Sequence, residues 1–303
     1  MSRSLCAALL LSAAPAWAEV PTVLADTAPV HSLVAIVMGD LGSPELIVAP
    51  GTSPHDASLT PSEAQALTEA DLIIWTGNGF LPWLGESIAS LAPQAQVVSL
   101  LETDGWDPLP PPEGEHGHED GQEEYEHDED HAGMDPHAWL DPNVAVSWLG
   151  HISSALAKAD PDNAETYRQN TIYASEALIS MKFAIQERLE PLAGNGYAVG
   201  HDAYRYFGRT TGLPPSYAIA HFDGAEPAPS DIAALREAVV SGEVQCLLLD
   251  AESKSSWAET LGEGAMLRTA TVDPDGVTLE PGPSLYPQLM ENLAAALESC
   301  LGA

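Results

Sequence analysis

Positive charge is what this chain most lacks: 10 Lys and Arg stand against 45 Asp and Glu, for a formal net charge of −35. Phosphate backbones and anionic lipids repel such a chain, which excludes nucleic acid and membrane surfaces as natural partners. Cysteine is scarce too, with three in 303 residues. Cys6 falls in an N-terminal apolar run, and Cys246 and Cys300 have no C-x-x-C neighbour, which argues against a thiolate metal site. The H-E-x-x-H signature is missing, so a zinc hydrolase has little to stand on. Beyond residue 18 no apolar run approaches the ~20 residues of a membrane span.

The apolar run that does exist reads as an export signal over residues 1–18. Arg3 supplies the positive start, Leu5 to Ala14 the apolar stretch, and Ala16-Trp17-Ala18 the small-x-small cleavage site before Glu19. The mature protein is therefore expected to be exported and soluble. In an oxidising compartment its two remaining cysteines most simply form one disulfide. A chain of this length is comfortable for two domains.

One stretch organises the rest. Residues 113–130 hold ten acidic residues and three histidines with no Lys or Arg. Such a segment buries too little apolar surface to offset its ordering entropy, so a disordered loop over 113–133 is expected. Its His116, His118 and His127, with His131 just after, form a weak auxiliary metal-binding strip, since carboxylate and imidazole both accept divalent ions. Apolar residues and prolines return at Met134-Asp135-Pro136-His137-Ala138-Trp139. A histidine in that ordered setting is a different object.

Around it, short apolar strands alternate with helical stretches. Thr60-Pro61-Ser62-Glu63 combines a capping box with a proline at the first helical position. DLIIWT (71–76) and VQCLLLD (244–250) are continuous apolar runs, the mark of strands buried in a parallel sheet. From Asp160 to Leu189 the chain has no interior Gly or Pro after Pro161, with Leu178, Met181, Ile185 and Leu189 on one helical face. The expected fold class is α/β: two doubly wound lobes, 19–159 and 191–303, joined by one long linking helix over 160–190.

Three histidines share a position type. His55 follows a short strand, His137 precedes a helix, and His201 stands at the carboxyl end of a strand. Open α/β sheets bind ligands at those ends, and two lobes can face theirs across a cleft. Asp273 also follows a strand, and three imidazoles plus a carboxylate suit tetrahedral zinc. Asp56 and Asp202 each follow a ligand candidate, either orienting its ring or capping the next helix.

SPHDASLTPSEAQAL around His55, MDPHAWLDP around His137, GHDAYRYFGRTTGL around His201 and the acidic insertion carry a resemblance across the mature chain. It resembles the periplasmic zinc-binding component of an ABC importer, the ZnuA-like branch of the cluster A-I solute-binding proteins. The resemblance implies a zinc ion, carried as cargo, between two lobes, with His55, His137 and His201 as ligands. It also implies delivery to an ABC membrane permease, a monomeric receptor without enzymatic activity, and a disulfide between Cys246 and Cys300. Manganese-type relatives carry a carboxylate where His201 stands, so imidazole there points to zinc. Some relatives have a Glu before the first histidine. Pro54 occupies that place here, leaving Asp273 or a water as fourth ligand.

Overall fold

A computed structural model describes residues 20–54, 57–112, 133–221, 227–250 and 256–302. The expected signal over 1–18, His55, Asp56, and the histidines His116, His118, His127 and His131 lie outside the described residues. The first half runs β1 (Val23–Ala25), α1 (Ala28–Met38), β2 (Glu45–Leu46), α2 (Pro61–Glu69), β3 (Leu72–Trp75), α3 (Pro82–Leu91) and β4 (Gln96–Ser99). Two helices, α4 (Pro142–Ala159) and α5 (Ala164–Leu189), follow the acid-rich stretch. The second half then repeats the alternation: β5 (Gly196–His201), α6 (Arg205–Thr211), β6 (Tyr217–Ala220), α7 (Pro229–Ser241), β7 (Val244–Asp250), α8 (Ser256–Gly262), β8 (Arg268–Val272) and α9 (Leu285–Leu301).

Each half builds a four-stranded parallel sheet, β2-β1-β3-β4 in one and β6-β5-β7-β8 in the other. Both follow one strand order, so each reverses direction between its first and third strands, where such sheets bind ligands. The local signals hold. Thr60 and Glu63 form a complete capping box on α2, and Asp141 caps α4 ahead of Pro142. The apolar β3 is buried along its whole length. α1 ends at Met38 and passes into a single 3-10 turn over Gly39–Leu41, where Asn170 of α5 donates to Val37 O at 2.9 Å. Gly39 there has φ 56°, and a Cβ would meet Asn170 at 2.7 Å, so only glycine fits.

One apolar core runs from β1 and β3 through α1, α4, α5 and α9 to one face of the second sheet. The strand period shows in the second sheet: Tyr197, Val199, Cys246 and Leu248 enter that core, while Ala198 and Leu247 between them join a smaller cluster under α7 and α8. The linking helix α5 has 26 residues, about 39 Å. It is joined in bridging the halves by α9, whose Tyr286 N donates to Ser32 Oγ of α1 at 2.9 Å. Arg188 of α5 pairs with Glu291 and Glu298 of α9. No described helix is long and apolar enough to cross a membrane.

Two features set stability. A disulfide between Cys246 and Cys300, 54 residues apart, pins α9 to β7. Replacing both cysteines by alanine should lower unfolding stability by about 4 kcal/mol for a loop of this length, read from urea curves; an unchanged midpoint would show the bond to be idle. Asp26, fully buried at the end of β1, accepts from Thr27 N and Thr76 N. Burial outweighs these bonds and pushes its carboxyl up to about 6. The folded state therefore holds this proton more tightly than the unfolded chain, and stability falls as pH rises from about 4 to 6, by roughly 3 kcal/mol in all. Asp26→Asn should flatten that part of the stability–pH profile, and an unaltered slope would contradict the assignment.

Candidate metal centre

His137 sits in a tight turn just before α4 and His201 closes β5. Each residue is 7% exposed, and the ring centroids lie 5.4 Å apart. Residues 64 positions apart in sequence meet there because the carboxyl end of β5 faces the turn that leads into α4.

Each ring is held by a carboxylate on the same nitrogen. His137 Nδ1 donates to Asp135 Oδ1 at 2.9 Å, and the same oxygen accepts from His137 N at 3.0 Å. His201 Nδ1 donates to Asp250 Oδ2 at 3.0 Å. An imidazole that gives its Nδ1 proton to a carboxylate carries its lone pair on Nε2, the tautomer a metal ligand needs. Both Nε2 atoms are screened from solvent. Aromatic walls complete the setting: Phe80 stands edge-on to His137 at 5.8 Å, and Trp139 lies 5.4 Å from it. Trp139 is itself anchored twice by the C-terminal part of the chain, donating Nε1–H to Pro274 O and accepting from Tyr286 Oη at its own carbonyl.

The remaining sequence candidates fare differently. Asp273 is turned into its own loop: Oδ1 accepts from Val277 N at 3.0 Å, and Oδ2 accepts from Thr278 N at 2.8 Å and from Thr278 Oγ1. These bonds fill both acceptor sites of Oδ2 and one of the two on Oδ1. The loop that leads to His55 does reach this turn, since Gly51 N donates to Val277 O at 2.9 Å. Asp202 lies 3.8 Å from Arg205 Nε rather than holding an imidazole. Burial raises its carboxyl, helped by the nearby Asp135 charge and opposed by Arg205. Among the described residues no group of three or more His, Cys, Asp or Glu converges as a complete metal cage.

Asp135 and Asp250 are the functional residues that sequence reasoning missed. Asp135 was readable as a D-x-H step, in which a carboxylate two residues upstream can bond both the backbone N–H and the ring. Asp250 could be found only from strand order, because β7 lies beside β5 although β6 intervenes in sequence.

The donor set is borderline-hard nitrogen backed by carboxylate, chemistry that suits zinc. Two α/β lobes with oriented, buried imidazoles between them define a solute-binding protein of the metal-receptor class. The profile of the ZnuA family, described as "Zinc-uptake complex component A periplasmic", matches residues 23–300. The high-affinity zinc uptake system protein ZnuA of Paracoccus denitrificans (strain Pd 1222) is 37% identical over 100% of this chain and 98% of its own length. Its namesake in Brucella abortus (strain 2308) is 32% identical over 92% of this chain and 91% of its own. A solved crystal structure of ZnuA superposes with a TM-score of 0.72 at 21% identity, covering 91% of this chain and 99% of that one, which speaks to the fold. The chain belongs to the ZnuA family, the periplasmic components of zinc-uptake complexes.

If Asp250 orients His201, Asp250→Ala should weaken zinc binding roughly 10- to 100-fold while thermal unfolding stays near that of the parent. Competition against a chromogenic chelator measures the first and circular dichroism the second. Undiminished affinity would remove Asp250 from the site.

Proposed function

We propose that this protein captures zinc in the periplasm and delivers it to the membrane permease of an ABC importer, acting as a monomeric receptor and not as an enzyme. His55, His137 and His201 serve as ligands, with Asp273 or a water in the fourth position. The observation that carries the reading is the buried pair His137 and His201, each fixed by a carboxylate in the ligand tautomer. Residues 1–18 act as the export signal. The molecule divides into lobes over 19–159 and 191–303, with residues 160–190 as the linker, so the pair draws one ligand from each side. His116, His118, His127 and His131 act as a weaker, auxiliary zinc strip, because a segment that must be ordered to coordinate gives up part of its binding energy.

The acid-rich stretch favours a second reading, a periplasmic zinc buffer whose capacity lies in that strip. Deleting residues 113–130 separates the two. A receptor without them still holds one zinc tightly, and adding His201→Ala weakens that site by more than about 100-fold. A buffer loses most of its capacity on the deletion alone. Competition with manganese on the same protein tests the metal: preference for manganese would overturn the zinc assignment. Protons compete with the metal for imidazole, so affinity should fall as the pH is lowered, and a flat profile from pH 7.5 to 5.5 would contradict imidazole ligation.

A further inference from the structure

The helix that follows His201 reaches across to the other lobe at every polar side chain of its first turns. Arg205 Nη1 donates to Pro110 O at 2.5 Å. Tyr206 Oη accepts from Leu109 N at 2.9 Å and donates to Asp135 O at 3.1 Å. Arg209 donates to Asp107 O and, at 2.8 Å, to Asp141 Oδ2. In a chain with only 10 basic residues, two stand one turn apart on α6 and face carboxylates on either side of His137.

Arg205 is the more consequential of the two. Asp135 is fully buried, and its Oδ1 is occupied by the ring and backbone of His137. Among the described residues its Oδ2 accepts no hydrogen bond, and Arg205 Nη1 stands 3.7 Å away. A carboxylate without access to water stays ionised only with a compensating charge, and removing that charge destabilises what the carboxylate holds. Pro110 O fixes the guanidinium from one side, and Asp202 lies on the other at 3.8 Å.

We propose that Arg205 is a positioning residue for zinc: from the second lobe it holds Asp135, and through Asp135 the His137 imidazole of the first, so that lobe closure and ligand orientation are set together. This rests on the zinc-receptor reading above. It assigns α6 a task beyond packing, since the residues that follow one ligand tune the other.

The test uses the mature protein, with zinc release followed by chelator trapping and with the visible absorption of the Co2+-loaded form as a signature of ligand geometry. Arg205→Met should release zinc at least about 10-fold faster, the scale set by loss of an outer-shell partner, and should change the Co2+ spectrum. Arg205→Lys, which keeps the charge, should recover part of both. Arg209→Met, on the same helix but paired with Asp141, is the control: it lowers thermal stability and leaves the Co2+ spectrum as in the parent. In an Asp135→Asn background, where no buried charge needs compensation, adding Arg205→Met should change neither readout further; that pair carries the test if Arg205→Met alone does not fold. A parental spectrum and release rate in Arg205→Met, equal spectral changes from Arg209→Met, or a further change in the Asp135→Asn background would each overturn the proposal. Failure of the parent protein to hold zinc would instead bring down the receptor reading, and this inference with it.

Discussion

A buried imidazole binds a cation only if its proton is held on the nitrogen that faces away, and here a carboxylate does so twice. Asp135 and Asp250 act on Nδ1 of His137 and His201, and much of the architecture serves to put those carboxylates in place. Asp250 arrives because β7 pairs with β5 in parallel register, bringing the carboxyl ends of the two strands together. Asp135 arrives because its own N–H donates to Leu109 O at 2.9 Å, closing the base of the acid-rich stretch, while Tyr206 holds its carbonyl. Asp135, fully buried, is the expensive placement of the two. A carboxylate out of water is tolerated only where bonds and opposite charge offset its desolvation.

The two sheets share a strand order, yet they use their reversal points differently. In the second sheet the gap between β5 and β7 holds His201 and Asp250, a pair with chemistry to offer. In the first, the equivalent gap between β1 and β3 is closed by Asp26, which binds Thr76 N at 2.7 Å. That bond makes the first sheet's reversal point structural. The first lobe therefore presents His137 from the turn before α4, stiffened by Phe80 and Trp139, rather than from a strand end.

Features governed by neighbours in sequence were legible in the sequence alone. The capping box at Thr60 and the strands at LIIW and VQCLLLD all appear where local chemistry puts them. What depends on distant chain was not. Strand order decides that Asp250 and not Asp202 orients His201, and no local pattern encodes that β7 rather than β6 supplies the neighbouring carboxylate. The bond from Asn170 of α5 to Val37 O at the end of α1 is likewise a contact made across 133 residues. Asp273 was ambiguous for a different reason: a carboxylate before proline serves a turn as readily as a metal, and in the structure both oxygens serve the turn.

What α9 packs against changes how the molecule can move. A single linking helix would let two lobes separate like covers about a spine. Here α9 belongs to the second half by sequence and packs on α1 of the first, and one continuous apolar core includes both helices. Trp139 and Tyr286 add a chain of hydrogen bonds from the turn after His137 to Pro274 and to α9. A wide opening would have to expose that core at about 25 cal/mol for each Å² of apolar surface, besides breaking those bonds. The smaller cluster under α7 and α8 is separate from the shared core. Movement confined to that outer part leaves the shared core and its bonds intact, so it is the less costly way to admit an ion. The stiffness that keeps both imidazoles in register thus also restricts where the cleft can yield.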